Sequence, residues 1–557
     1  MKNNRVVSRD INKTFLKQKV TIFGWLVKKI KTSKLVFLTL RDGYGFCYLV
    51  IDRNNTELML QITNLTKESV ISVTGIVNYK KPNQNDNKTE DFELWVEQLR
   101  VINYSQLTPF MINDNTDGQE KIRLKYRYLD LRRPIMQKRM WMRHSVLQEI
   151  RTFFHQKKNF IELETPILSI PTIEGANNFL VESSATKKHY FALPQSPQLY
   201  KQLLMSSGFP GYFQIARCFR DEDLRNNRQP EFTQLDLEIN FATSATVISF
   251  LETLIILLWK KFRSSLVTSE FLKMDYFIAW NKYGTDKPDL RYQLFLEEYK
   301  LSSTKLIKDL NNEIIKGIRF KYDFSKTHWK ELQNEIQKIT KISLLFIFYF
   351  DKKLETNLNE KQKEEILSFL NVEKKEHWIG FCASRQLTNT VLGKVRVLLA
   401  DYFQLTVNQP DKFCWIINQP MFEFSSFKQK YVATHHPFCQ PRDVSLFEKD
   451  WKNSRADAYD LVINGEEIGS GSVRIHDLKI QQQVFQILGF DQEKMNNEFG
   501  FFLKAMEYGF PNHAGFALGI ERLIAILMNT NSIRDVVPFP KTSKGSCLLT
   551  QSPKKHF

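Results

Sequence analysis

The chain has 557 residues, 42% of them hydrophobic and 25% charged, an ordinary globular composition on a length that calls for two to four domains. A membrane-spanning helix is excluded: no apolar run approaches the roughly 18 residues required, and the run at 342–350 is short and bounded by Lys341 and Asp351. The 79 Lys+Arg against 61 Asp+Glu leave a net charge of +18, which suits a polyanion such as nucleic acid and equally a general drift toward lysine and asparagine.

The N-terminal stretch MKNNRVVSRD has no apolar segment after its basic residues, so no secretory signal is expected. Five segments, 20–27, 35–40, 46–51, 70–77 and 92–101, are rich in β-branched and aromatic residues and are separated by turn signals. With a helical patch at 56–66, they predict a five-stranded OB-type β-barrel over 1–108, a fold that often binds single-stranded nucleic acid. Residues 109–140 read as a hinge. They open a basic helical segment, about 120–157, with Arg127, Arg132, Arg133, Lys138, Arg139 and Arg143 crowded together. That run is either a solvated face or a contact for a nucleic-acid backbone. Extended and helical stretches alternate over 141–292. Residues 293–413 are lysine-rich and helical in pattern, and predict an inserted α/β domain between that region and its continuation at 414–557. The fold class expected is multidomain α+β. Six cysteines (Cys47, Cys218, Cys382, Cys414, Cys439, Cys547) form no C-x-x-C pair, which favours a reducing, cytoplasmic compartment over a zinc site or disulfides.

The chemistry concentrates in CFRDED at 218–223 and RQPEFTQLDLE at 228–238, which read as an antiparallel hairpin. On a strand, residues two apart share a face, so Arg220 and Glu222 point together, as do Phe232, Gln234, Asp236 and Glu238. One surface then offers a guanidinium for phosphate, an aromatic plane for a base and carboxylates for an amine.

This hairpin resembles motif 2 of the class II aminoacyl-tRNA synthetases. FIELETP at 160–166 resembles motif 1, whose proline lies at the dimer interface in that family. GFALGIERL at 515–523 resembles motif 3, a strand-to-helix turn ending in an arginine that packs on ATP. Further stretches are similar to the bacterial-type aspartyl members of subclass IIb. They are LPQSPQLYK at 193–201, with Ser196 as a helix cap and Pro197 in the first turn; YGTDKPD at 283–289; THHPF at 434–438; and GSVRIH at 471–476. Gly469 and Gly471 would admit a ligand close to the backbone or mark a strand bulge.

The resemblance implies an antiparallel-sheet catalytic domain in which Arg220 and Arg522 are catalytic. It assigns ATP to Arg220, Asp221, Glu222, Gln229, Phe232, Glu467, Gly519, Ile520, Glu521 and Arg522, with Phe232 and Arg522 sandwiching the adenine. It assigns Mg2+ to Asp460 and Glu467. For aspartate, Lys201 and Arg474 would pair with the side-chain carboxylate, and Asp236 and Gln198 would hold the α-amino end. Glu174, Ser196, Arg220, His435 and His436 complete that set. In the barrel, Phe37, Tyr48 and Glu93 would bind the anticodon, Tyr48 replacing the usual glutamine of bacterial relatives.

The activity so implied is ATP-dependent ligation of L-aspartate to tRNA(Asp) through an aspartyl-adenylate, by a homodimer, with tRNA(Asn) open as a second substrate. No enzyme nucleophile is needed: positioning and charge neutralisation suffice. Paired cations would favour aspartate over its near-isostere asparagine, so loss of Lys201 or Arg474 should abolish aspartate activation with the fold intact. Asparaginyl and lysyl relatives usually lack the insertion and carry glutamine where Val473 stands. A non-catalytic tRNA-binding paralogue would be expected to have lost groups such as Arg220, Asp460, Glu467 or Arg522.

Overall fold

A computed structural model describes residues 5–80, 92–171, 177–186, 188–222, 224, 227–263, 267, 270–299, 314–322, 326–340, 345–350, 353–356, 360, 363–364, 367, 377–426 and 428–555. It comprises two compact units, Met1–Trp141 with Pro538–Pro540 and Ser546–Phe557, and Met142–Val537 with Lys541–Gly545.

In the first unit, β1 (Lys19–Lys31), β2 (Leu35–Arg41), β3 (Phe46–Asp52), β4 (Val70–Tyr79) and β5 (Phe92–Asn103) close into a barrel of order β1-β2-β3-β5-β4. The predicted helical patch is the helix Thr56–Thr63. Alternation along the strands sends Val36, Leu38, Leu40, Leu49, Ile71, Val73 and Leu94 inward to one core. Gly75 lies where β4 and β5 slip register, and a Cβ there would come within 2.1 Å of the Trp95 carbonyl oxygen.

The basic segment is not one helix. It breaks into Glu120–Lys125, Arg127–Asp130 and Pro134–His155, because proline is well placed at a helix start and poorly inside one. Nor are its first arginines a solvated face. Arg127 and Arg133 are buried and close on the fully buried Asp130, at 2.5 and 2.8 Å, while Arg132 reaches Glu68 at 3.0 Å.

In the second unit the strands are, in chain order, β6 (Ile161–Glu162), β7 (Leu180–Glu182), β8 (Tyr190–Ala192), β9 (Gly211–Phe219), β10 (Glu231–Asn240), β11 (Leu272–Asp275), β12 (Leu296–Tyr299), β13 (Ile314–Phe320), β14 (Leu345–Phe350), β15 (Lys353–Thr356), β16 (His377–Ala383), β17 (Phe413–Ile417), β18 (Phe422–Ser425), β19 (Lys430–Ala433), β20 (Ala458–Ile463), β21 (Glu466–Val473) and β22 (His513–Gly519). Eight of them form one sheet of order β11-β17-β20-β21-β22-β10-β9-β6. It is antiparallel except at its two ends, where β11 pairs with β17 and β6 with β9 in parallel. The helix Ser244–Phe262 covers one face, burying Leu251, Leu254 and Leu258 in one core with Leu235, Leu237, Phe516 and Leu518 of the sheet.

The lysine-rich segment is less helical than its pattern suggests. Five strands make a separate antiparallel sheet, β12-β13-β16-β14-β15, packed through Ile318, Phe320, Ile379 and Phe381 on Leu392, Val395 and Leu399 of the helix Arg385–Tyr402. Strands of four to seven residues among lysines give a weak period-2 signal, and their pairing is non-local.

The Asp130 cluster yields a stability prediction. Asp130→Asn should lower stability by roughly 3 kcal/mol, because it strands buried guanidinium charge. Thermal unfolding of the full chain measures this, and an unchanged melting temperature would return these arginines to a free basic face.

Candidate active site

The face of the eight-stranded sheet opposite the helix Ser244–Phe262 is polar. With Leu235 and Leu237 in the core, the pleat turns Gln234, Asp236 and Glu238 to the other side, where all three are buried. They lie at the base of a cavity of about 510 Å³. Glu238 stands opposite Gly515 on β22, and a Cβ at Gly515 would lie 1.9 Å from Glu238 Oε2. Only glycine leaves room for that carboxylate.

Two buried cations meet the two carboxylates. Lys201, on the helix Gln198–Ser206, places Nζ 3.0 Å from Asp236 Oδ1 and 3.4 Å from Glu238 Oε2. Arg474, just beyond β21, donates from Nε and Nη2 to Glu238 at 2.7 and 3.2 Å, and from Nη1 to Ser472 Oγ and His436 Nε2 at 2.7 and 2.6 Å. Burial would raise the Glu238 carboxyl, but Arg474 and Lys201 outweigh it and hold Glu238 below the usual range. Burial dominates at Asp236, which is raised although Lys201 partly offsets the effect. His436 is pushed well below its ordinary value by burial and by Arg474, so it stays neutral and can accept from that guanidinium. Asp236 Oδ2 and Gln198 Nε2 are buried without a hydrogen-bond partner among the described residues.

Farther along the cavity the groups suit a nucleotide. The Arg220 guanidinium lies 5.0 Å from the Phe232 ring centroid. Glu222 pairs with Arg228 at 2.7 Å, and Arg522 donates to the Glu467 carbonyl at 2.6 Å. Glu467 Oε2 also holds Lys287 Nζ at 2.7 Å. Burial would raise Glu467, yet Lys287 and Arg522 hold it lowered; burial would lower Lys287, and Glu467 and Asp286 hold it raised. Asp460, on β20 beside Glu467's strand, accepts from Gln419 at 2.7 Å through Oδ2, while Oδ1 is buried without a hydrogen-bond partner among the described residues. Gln419 also bonds His435, whose Nδ1 meets Ser470 Oγ at 3.2 Å. No group of three metal-ligating side chains occurs among the described residues, but Mg2+ needs only one or two carboxylates beside water and phosphate oxygens. Asp460 and Glu467 fit that demand.

Most residues singled out from sequence line this cavity: Ser196, Gln198, Lys201, Arg220, Glu222, Gln229, Phe232, His435, His436, Asp460, Glu467, Arg474, Gly519, Glu521 and Arg522. Asp236 lies beneath Lys201. Asp221 and Ile520 do not reach the wall: Asp221 is exposed beyond the end of β9, and Ile520 is in the core. Glu174 lies outside the described residues. Ser196 is not the helix cap, since the helix begins at Gln198 with Pro197 in that position. Gln229 is already engaged, its amide clamping the Lys541 backbone at 2.7 and 3.1 Å. Glu521 braces Arg143 and the Thr233 amide at 2.9 and 3.0 Å. Gly469 and Gly471 answer first to the sheet, since a Cβ on them would strike Phe516 at 2.3 Å and the Gly515 carbonyl oxygen at 2.3 Å. Alternation already put Glu238 on the polar face among the carboxylates expected to meet an amine, whereas the structure gives it to Arg474 and Lys201. Sequence reasoning gave no role to Gln419 or Lys287; a lone glutamine between strands gives no signal.

On the barrel, Thr39, Tyr48 and Glu93 fall in one row, and Phe37, Val50 and Trp95 in the next. Phe37, Tyr48 and Trp95 are exposed at 37, 41 and 38%. Trp95, unassigned from sequence, donates its indole N–H to Glu93 at 2.8 Å, and Lys80 lies 4.2 Å from the Tyr48 ring centroid. Exposed rings beside amines are the makings of a base-stacking surface.

Comparison with known proteins matches both regions to known families. The family "tRNA synthetases class II (D, K and N)" matches residues 119–543, and "OB-fold nucleic acid binding domain" matches 20–102. The aspartate–tRNA ligase of Mycoplasma capricolum is 41% identical over 96% of this chain and 94% of its own length. The aspartate–tRNA(Asp/Asn) ligase of Dictyoglomus turgidum is 39% identical over 98% and 95%. In fold, the chain is similar to the asparaginyl-tRNA synthetase from Pyrococcus horikoshii complexed with asparaginyl-adenylate, with TM-score 0.61 and 19% identity over 96% of this chain and 98% of that one. With family and relatives matched over nearly its whole length, the chain belongs to the class II tRNA synthetases of the aspartate, lysine and asparagine group.

Proposed function

We propose that this chain joins L-aspartate to the 3′ end of tRNA(Asp) at the expense of ATP, through an aspartyl-adenylate. The observation that carries the choice of amino acid is the donor arithmetic at Lys201 and Arg474. Lys201 donates to Asp236, lies as an ion pair 3.4 Å from Glu238 and keeps at least one further proton; Arg474 keeps the second proton of Nη2. Two spare donors on buried cations match the two oxygens of a carboxylate. An amide would set its NH2 against a donor, with no acceptor to receive it. Asp236 Oδ2, without a donor among the described residues, suits the substrate α-ammonium together with Gln198.

In the first step the aspartate α-carboxylate attacks the α-phosphate and pyrophosphate leaves. Arg220 holds the α-phosphate, Phe232 and Arg522 hold the adenine, and the charge that develops is met by groups already in place. Asp460 and Glu467 would hold Mg2+, which would supply charge neutralisation on the phosphates. In the second step the terminal ribose hydroxyl of tRNA takes the aspartyl group and AMP leaves. The barrel presents Phe37, Tyr48 and Glu93 to the anticodon. A homodimer is supported by β6 at the end of its sheet with Ile161, Ile167 and Leu168 exposed beside it. No helix among the described residues is long and apolar enough to cross a membrane, and a cytoplasmic location belongs with this reading.

ATP–pyrophosphate exchange with aspartate, asparagine and lysine in turn tests the reading, and exchange is expected with aspartate alone. Exchange with asparagine instead, or with none of the three, would overturn it. Lys201→Ala and Arg474→Ala should each remove aspartate-dependent exchange. Contrary to the expectation from sequence, they should also destabilise the chain by about 3–5 kcal/mol, because each takes a counter-cation from a fully buried carboxylate; a melting temperature equal to that of the unaltered chain would refute this.

For the barrel, Phe37→Ala should raise KM for tRNA roughly tenfold, as expected from losing one stacked base worth about 1–3 kcal/mol, with pyrophosphate exchange unchanged. Equal KM would remove Phe37 from the tRNA surface. Aminoacylation of purified tRNA(Asp) and tRNA(Asn) side by side determines whether both are substrates.

A further inference from the structure

The YGTDKPD stretch has no part in the roles above, yet it brings a cation to the cavity. The helix Tyr276–Tyr283 ends at Gly284, whose φ of 69° favours glycine. Thr285 Oγ1 then accepts the Lys287 backbone N–H at 3.1 Å, and Lys287 extends over the cavity to Glu467.

This loop packs directly against the helix Arg385–Tyr402 of the lysine-rich segment. A Cβ on Gly284 would lie 2.3 Å from the Asn389 carbonyl oxygen, and one on Gly393 would lie 2.3 Å from that of Gly284, so the backbones touch. Beyond the loop, the buried Arg396 donates to the carbonyls of Asp289, Leu294 and Tyr292 at 2.6, 2.6 and 3.2 Å and lies 4.1 Å over the Tyr292 ring. The loop backbone is thus fixed while the lysine side chain keeps its four rotatable bonds.

The Lys287–Glu467 pair differs from the pairs at the cavity base. The Lys287 side chain is 39% exposed where Lys201 is 1% exposed, and an ion pair this open is weak and readily exchanged. A polyphosphate entering here meets Asp460, Glu467 and Asp286, whose charges oppose it, and each cation released toward it counts.

We propose that Lys287 is a phosphate-contacting residue of this site, leaving Glu467 to take the β- and γ-phosphates of the nucleotide, which become the pyrophosphate leaving group. The inference rests on the ATP reading above. Lysine serves phosphate as a point charge, and no bond to it is made or broken.

Equilibrium titration of the full chain with inorganic pyrophosphate and with ATP, in EDTA without divalent cation, tests it. Lys287→Met is expected to weaken both on the order of tenfold, the loss of one charge-assisted contact, with aspartate binding unchanged. Glu467→Gln is expected to bind pyrophosphate at least as tightly as the unaltered chain, because the competing carboxylate is gone. Equal pyrophosphate binding by Lys287→Met and the unaltered chain would overturn the proposal. So would weakening by Glu467→Gln as large as that by Lys287→Met, which would mean the ammonium only orders its partner. Failure of the unaltered chain to bind ATP or pyrophosphate would instead fault the ATP reading.

Discussion

Glu238 is a fully buried carboxylate gripped from two directions, and the arrangement of the site depends on satisfying it. Arg474 reaches it from the end of β21, Lys201 from the helix Gln198–Ser206, and Gly515 on the neighbouring strand leaves the space it fills. A charge removed from water tolerates no loose geometry: its partners must be in contact, or the desolvation is uncompensated. Four elements far apart in sequence are therefore held in one relation before any ligand arrives. Lys201 and Arg474 also line the cavity, so under the proposed function the network that orders the site is also the one that selects among ligands.

The sheet can support this because its two faces do opposite work. Leu235 and Leu237 pack into an apolar core with Leu251, Leu254 and Phe516, while the residues between them carry charge. The core fixes the strands, and strands hold side chains to tighter tolerance than loops do. The ionic face alone would gain little stability, and the apolar face alone would select nothing.

How much of this was legible follows from how local each signal is. Alternation along β10 and the wording of each motif are local, and most residues they singled out line one cavity. The partnership of Arg474 with Glu238 spans 236 residues and leaves no local trace, so the cations were assigned to the substrate carboxylate alone, when Lys201 already meets Asp236 and Glu238 and Arg474 meets Glu238. Ser196 was misplaced by one residue because proline and serine both suit a helix start. The basic run misled for a different reason. Asp130 lies three residues from both Arg127 and Arg133, the spacing of a helical ion pair, and charge counting overlooked the one acid that organises them. In the lysine-rich segment the strands are short, and Trp378 lies over Gly317 and Gly380 in an arrangement that only the folded sheet reveals.

The position of that segment has its own logic. It interrupts the chain between β11 and β17, which are neighbours in parallel. Parallel neighbours cannot be joined by a tight turn; the chain must return along the sheet through a crossover of a dozen residues or more. A long connection is therefore obligatory here, and lengthening it further adds closure entropy only logarithmically. Extra sequence could accumulate into a sheet with its own core, provided its ends were anchored. The contact of Gly284 with Gly393 and the grip of Arg396 on the carbonyls of Asp289, Tyr292 and Leu294 are that anchorage. Because they close on the loop that carries Lys287, the insertion is coupled to the cavity through backbone rather than through exposed side chains.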